Sequence, residues 1–138
     1  MSRSRVRRHG SQKLFDGGFA YSAEVSGTSV LYTAGVSPLD SDGDIVGPDD
    51  PVAQVRHAFG LLLVLLDERG AAIDDIVKLT VYVATSDRTD LAAVWEALAP
   101  EFGGEIPPAV IVAVTVLPYP GQRVEIDAVA AFPGAVPS

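Results

Sequence analysis

The hydrophobic pattern of the last third of the chain predicts two strands. Residues 110–117 are almost all β-branched or aliphatic, and prolines bound them on both sides. A run of this length between helix breakers predicts a strand that is buried on both faces. After a turn at 118–121, apolar and charged residues alternate, with Val124, Ile126 and Ala128 on one side and Arg123, Glu125 and Asp127 on the other. The second strand is therefore expected to bury one face and to present carboxylates and a cation on the other.

A 3.6-residue periodicity predicts two helices in the middle of the chain. Asp50 is an expected N-cap, Pro51 suits the first helical position, and Gly70 is an expected C-terminal stop, so the first helix is predicted to end at Arg69. A second helix is expected to start near 86–89 and to end or kink at Pro100. Its apolar stripe consists of Leu91, Val94, Trp95 and Leu98.

The remaining strands complete an α+β domain. A hairpin is expected from 19–25 and 30–34, and another long strand from 76–83. The order β-β-α-β-α-β-β predicts one mixed sheet with both helices on one face, in a single domain over 13–138. The other face would be open, and Val77, Leu79, Val81 and the 110–117 strand would make it too apolar for water. This predicts an oligomer that covers it.

Charge is distributed unevenly along the chain. The net charge is −8, yet five basic residues precede the first acidic one, Asp16, so the remainder carries −13. An acidic body repels phosphate backbones, so no nucleic acid partner is expected. Residues 1–12 are interpreted as a flexible basic arm. No signal peptide and no membrane-spanning run is found, and a cytoplasmic location is expected.

No metal site is predicted. The chain has no cysteine, and His9 and His57 have no ligand partner at a suitable spacing. Asp40, Asp42 and Asp44 alternate like ligands of a calcium loop, but the twelfth position, which requires glutamate, is Pro51. This loop is interpreted as an acidic turn.

A set of short motifs, in a characteristic order, resembles the reactive intermediate deaminase family, known as RidA or YjgF and as endoribonuclease L-PSP. The resemblance extends from about Phe19 to Ala131. The motifs are Tyr21-Ser22, 31–35 with Pro38-Leu39, 54–56, 74–78 with 80–82, 91–94, Pro108-Ala109 and 124–130. The resemblance implies a chorismate-mutase-like fold and a barrel-like homotrimer with clefts between subunits.

The resemblance also implies a chemistry and a site. Family members hydrolyse 2-imino and enamine acids to 2-keto acids and ammonia, without metal or cofactor. An arginine binds the substrate carboxylate as a bidentate fork, and a glutamate positions the water. By this resemblance Glu125 and Tyr21 are the catalytic candidates, and Gly35 lies near the ligand.

Three positions depart from the family pattern. Val110 stands at the position of the family's arginine. Ala34 stands before the glycine, where the family often has serine, and Trp95 stands at a helix position that is often asparagine. With Gly35, these are the substrate-binding candidates. Since valine cannot bind a carboxylate, the usual deaminase activity should be weak. Lys78 or Arg123 could replace the lost cation.

Two functions follow, and each candidate residue also has a structural interpretation. The first function is a hydrolase, or deaminase, that acts on a small imine, enamine or related metabolite in an intersubunit cleft. The alternative is a non-catalytic trimer that binds a small, fairly apolar ligand there. Structurally, Glu125 fits a solvated strand face, Tyr21 a cross-strand aromatic, Trp95 a core residue and Gly35 a turn.

Overall fold

The computed structural model of the chain describes residues 5–13, 16, 20, 22–27 and 29–133. These residues form strands and helices in the order β-β-β-α-β-α-β-β. The elements are β1 (Val6–His9), β2 (Ser22–Val25), β3 (Ser29–Tyr32), α1 (Pro51–Glu68), β4 (Ile76–Ala84), α2 (Arg88–Leu98), β5 (Ala109–Val114) and β6 (Val124–Phe132). Short 3-10 turns, Ile73–Asp75 and Ala99–Phe102, precede β4 and follow α2.

Strands β3, β6, β4 and β5 form a mixed sheet in that spatial order. The β3–β6 and β4–β6 pairs are antiparallel, and β4–β5 is parallel. Both helices contribute buried residues to the same hydrophobic core as β4 and β6, so they cover one face of this sheet. The predicted α+β fold, a mixed sheet with two helices on one face, is confirmed.

Asp50 caps α1 as predicted, and its side chain accepts a hydrogen bond from the Ala53 N–H at 3.1 Å. One buried polar side chain of α1 then fixes the chain around β6. The fully buried Gln54 donates to the carbonyls of Gly47 and Gly121, both at 2.9 Å. Its oxygen accepts from the backbone N–H groups of Arg123, at 2.6 Å, and Val124, at 3.2 Å. Gln54 therefore sets where β6 begins.

The sheet face away from the helices is less apolar than the sequence suggested. Leu79 and Val81 are fully buried beneath the helices, and a bulge near Val77 shifts the start of β4, so the expectation that these residues line the open face was wrong. Because side chains alternate along a strand, the open face carries the intervening residues. They are Lys78, Thr80 and Tyr82 of β4, Glu125 and Asp127 of β6, and Val110 and Val112 of β5.

Strand β5 differs from the strand predicted at 110–117. It ends at Val114 and lies at the edge of the sheet, with Val110 43% and Val112 39% exposed. In a single chain, the face of β5 that carries Val110 and Val112 is therefore not buried. Apolar composition alone therefore indicated more burial than one copy of the chain provides.

The N-terminal strands also pair differently from the predicted hairpin. Strand β2 pairs with β1, in register from Val6 with Val25 to His9 with Ser22, while β3 pairs with β6. Four residues of the segment interpreted as a flexible arm, Val6–His9, thus form a strand. The Arg8 side chain ties the β1–β2 pair to the start of β4, since it is only 5% exposed and donates to the Ile76 carbonyl at 2.8 Å. None of the described helices is long and apolar enough to cross a membrane.

Candidate functional site

The carboxylate of Glu125 lies on the open face of the sheet, against a bend that follows β3. Backbone hydrogen bonds in both directions join Val36 to Ile126, at 2.6 and 3.1 Å, and set Ser37 opposite Glu125. A Cβ on Gly35 would overlap the Glu125 carboxylate, and its distance to Cδ would be 2.8 Å. Gly35 therefore lets the carboxylate approach the backbone closely, and its φ is not in the left-handed region.

Two polar side chains orient this carboxylate. Ser37 Oγ donates to Glu125 Oε1 at 3.2 Å. Gln122 Nε2 donates to Ser37 Oγ at 2.8 Å and to the Val124 carbonyl at 3.0 Å, and its own oxygen accepts from the Tyr119 N–H at 3.1 Å. Because Gln122 is buried and fully bonded, the Ser37 hydroxyl points its hydrogen at Glu125. The carboxylate is held before any ligand arrives.

A second polar pair lies beside Glu125. Tyr82, directly across from Glu125 on β4, donates its hydroxyl to Asp127 Oδ2 at 3.2 Å. Burial raises the pKa of Tyr82, and the charge of Asp127, this hydrogen bond and the charge of Glu125 raise it further. The phenol thus stays protonated and remains a donor in this acidic neighbourhood.

Val110 shares this face but is distant from Glu125 within one chain. Thr80 lies between Asp127 and Val110 across the sheet, and Tyr82 lies between Glu125 and Val112. Since strands are about 4.8 Å apart and residues on one face about 7 Å apart, Val110 and Glu125 are separated by roughly 12 Å. One small ligand cannot contact both side chains of the same subunit.

The other sequence candidates lie apart from the Glu125 carboxylate or have no contact with it. Ala34 is exposed in the bend beside Gly35. Trp95 is partly buried against the hydrophobic core on α2, so within one chain it lies across the sheet from Glu125. Its i, i+3, i+4 spacing with the apolar stripe accounts for this position, and its role as a ligand contact stays a prediction. Tyr21 lies outside the described residues.

Among the described residues, no group of three or more histidine, aspartate or glutamate side chains is arranged to hold a metal ion. His57 hydrogen-bonds through Nε2 to the Leu39 carbonyl at 2.8 Å. Asp40 accepts from the backbone N–H groups of Asp42 and Asp44, at 2.9 and 3.0 Å. The acidic loop is thus organised by its own backbone, as expected of a turn.

Fold and site together define a small α+β protein with a pre-oriented glutamate on an open sheet face. The chain belongs to the endoribonuclease L-PSP family, also called Rid or YjgF, whose profile matches residues 15–132. The structure resembles that of YyfB from Yersinia pestis, a Rid family protein of unknown function, with a TM-score of 0.85 at 26% identity over 93% of this chain and 99% of that one.

Other relatives agree in sequence and in fold. A RutC family protein of Pyrococcus abyssi is 30% identical over 110 residues, which are 80% of this chain and 84% of the relative. Rv2704 of Mycobacterium tuberculosis, described as a member of the YjgF/YER057c/UK114 family, has a TM-score of 0.63 at 28% identity over 91% of this chain and 98% of that one. The resemblance drawn from the sequence motifs is confirmed at the level of the family.

Sequence reasoning missed Ser37 and Gln122, the two residues that orient Glu125. Ser37 stands two residues after Gly35 and Gln122 three before Glu125, so proximity in sequence was a usable signal. It could not be decisive, because the contact depends on the pairing of Val36 with Ile126. The Tyr82–Asp127 hydrogen bond likewise depends on the β4–β6 register.

Proposed function

We propose that this protein is a hydrolase that acts on a small imine, enamine or related metabolite, with Glu125 as the residue that holds the attacking water. The observation that carries this proposal is the position of the Glu125 carboxylate, fixed against Gly35 by Ser37 and Gln122. A carboxylate that is oriented in advance can accept a hydrogen bond from water and direct it at an electrophilic carbon.

The reaction needs little more than orientation and proton handling. Glu125 would accept a proton from water as its oxygen adds to the imine carbon and would pass that proton to the nitrogen, and the resulting carbinolamine would lose ammonia to leave the carbonyl. Tyr21 is the second catalytic candidate by family resemblance. No metal or cofactor is part of this proposal.

We propose further that the site is completed by a second subunit of a homotrimer. The separation of roughly 12 Å between Val110 and Glu125 supports this, because the family's arginine and glutamate positions serve one ligand. The exposed Val110 and Val112 on the open face support burial by another copy. A stable monomer of 14.4 kDa in light scattering would contradict the assembly and, with it, an intersubunit cleft.

Val110 is the basis for an assay of ammonia release from imines generated in situ. We expect poor turnover of 2-iminopropionate, because its carboxylate would meet an apolar side chain and stay partly desolvated and unpaired. Val110→Arg should restore part of the activity, and adding Glu125→Gln to that variant should abolish it. A folded, trimeric Val110→Arg protein that gains nothing would mean that the cleft differs in more than this contact.

The second candidate function is a binding protein without catalysis. Val110 and Val112 favour it, since they leave an apolar wall where the family pattern has a charged fork. The two functions predict different outcomes in the same ammonia-release assay. If wild type and Glu125→Gln bind the same ligands and neither releases ammonia from any imine tested, the protein binds and does not hydrolyse.

A further inference from the structure

Arg123 lies two residues before Glu125, at the edge of a shallow groove where β4 and β5 end. The alternation of the chain assigns Arg123 and Glu125 to the same side, opposite the fully buried Val124. The groove is formed by the ends of the two strands and by the loop that leads back to β6. Its lining includes Asp49, Ala84, Ser86, Thr115, Tyr119 and Arg123.

The guanidinium of Arg123 is held in place but keeps donors free. Its Nη1 donates to the Ala84 carbonyl at 2.8 Å, which fixes the plane of the group. Its Nε contacts Asp49 Oδ1 at 3.3 Å, and the Asp49 side chain is 71% exposed. Its Nη2 has no hydrogen bond to any residue that the structure describes. A long contact to an exposed partner is weak and easily exchanged for a ligand.

We infer that Arg123 is an anion subsite, which binds a carboxylate at the far end of the ligand whose reacting carbon lies at Glu125. A planar guanidinium matches a carboxylate as a two-point fork, and Nε and Nη2 are the two donors that a ligand can take. The ligand carboxylate would replace Asp49. The link to the reacting carbon rests on the function proposed above, whereas the anion subsite stands on the groove alone.

The geometry favours a ligand whose carboxylate is several bonds away from its reacting carbon. Two residues on one side of a strand are about 7 Å apart, and the guanidinium extends away from Glu125 to Ala84. A carboxylate attached directly to the imine carbon cannot occupy this subsite while that carbon is at Glu125. The subsite therefore suits a longer acid, with several bonds between the carboxylate and the reacting carbon. This is consistent with the low activity expected for 2-iminopropionate.

Charge in the groove favours a carboxylate over a phosphate. Asp49 is the acidic residue of the lining, and it offsets the single charge of Arg123. A dianionic phosphate would meet little net positive charge there, while a carboxylate needs one fork and one charge. We take the carboxylate as the ligand group and treat phosphate as an arm of the test.

The test is calorimetric titration of the full chain with glutarate, with its neutral diamide and with inorganic phosphate. Wild type should bind glutarate more tightly than either of the others. Arg123→Gln should weaken glutarate binding by about 10- to 100-fold, as expected for loss of a charge-assisted contact. Arg123→Lys should retain only part of the affinity, because a lysine lacks the fork.

Three further variants make the result decisive. Asp49→Asn should tighten glutarate binding several-fold, and asparagine tolerates the positive φ of 63° at this position. Arg56→Gln, at an exposed arginine of α1, is the matched control and should leave binding unchanged. Glu125→Gln should abolish hydrolysis of imines, whereas Arg123→Gln should weaken glutarate binding whether or not any imine is hydrolysed, which separates the subsite from the proposed reaction.

The inference is overturned if Arg123→Gln and Arg56→Gln bind glutarate as wild type does, or if phosphate or the diamide binds as tightly as glutarate. If the Arg123→Gln protein does not fold, glutarate binding by Asp49→Asn still tests the inference. Unchanged or weaker glutarate binding in that variant would contradict a carboxylate that replaces Asp49.

Discussion

Gly35→Ala is the change that most sharply separates a functional Glu125 from a structural one. The added Cβ would lie 2.8 Å from Glu125 Cδ, whereas ordinary contacts begin near 3.4 Å, so the carboxylate has to move by roughly 0.6 Å or more. Alanine fits the backbone, because the φ of Gly35 is not in the left-handed region. The strain thus falls on the flexible end of a glutamate side chain and on its contact with Ser37.

The expected effects on stability and activity differ in size. The displaced carboxylate can exchange Ser37 for water, so the free energy of unfolding should fall by less than about 1.5 kcal/mol. Misplacement of a catalytic group by an ångström can lower the rate by about 100-fold, so kcat/KM should fall by roughly 10- to 100-fold. Urea denaturation measures the first quantity, and ammonia release from the best imine measures the second.

Gly27→Ala is the matched control, since a Cβ there would meet nothing within 4 Å, and both quantities should stay unchanged. Wild-type kcat/KM in a folded Gly35→Ala protein would refute the reasoning, because the position of the carboxylate would then not matter. A loss of activity that merely follows a large loss of stability would assign Gly35 a structural role.

Two other predictions concern stability. Gln54→Leu leaves two carbonyls and two N–H groups around β6 without their partner, so the free energy of unfolding measured in urea should fall by about 2–4 kcal/mol. Gln12→Leu, at an exposed position, should leave it almost unchanged. An equal effect of the two substitutions would contradict the role of Gln54. Because the pKa of Tyr82 is raised above 10.0, stability from this group is complete below pH 10.0 and is lost as the pH rises through the raised value. Tyr82→Phe should remove that part of the alkaline decline, and an identical decline in both proteins would show that Tyr82 does not contribute.

The sequence predicted local elements better than their partners. The cap at Asp50, the periodicity of α1 and the alternation around Glu125 depend on neighbouring residues, and all three were recovered. The pairing of β2 with β1 and the contact of Arg8 with the Ile76 carbonyl depend on segments that are distant in the sequence. An alternating arginine-rich segment gave no sign that its Arg8 side chain would be buried.

The residues of the candidate site likewise divide into those that the sequence predicted and those that it missed. Family motifs predicted Glu125 and Gly35, and the close approach of the two gives the glycine a physical reason. Ser37 and Gln122 are polar residues in turns, a class too common to single out without the contact itself. Trp95 as a ligand contact stays a prediction, and within one chain it is partly buried against the core, as its helical spacing indicated.

The measurement that tests the proposed site most directly is a crystal structure of the protein soaked with a small keto acid and, separately, with glutarate. The proposed function predicts the keto acid carbonyl within hydrogen-bond distance of Glu125, in a cleft bounded by Val110 of another subunit. The anion subsite predicts a glutarate carboxylate on Arg123. Ligands bound elsewhere, with Glu125 open to solvent in the assembled protein, would contradict the site described for this chain.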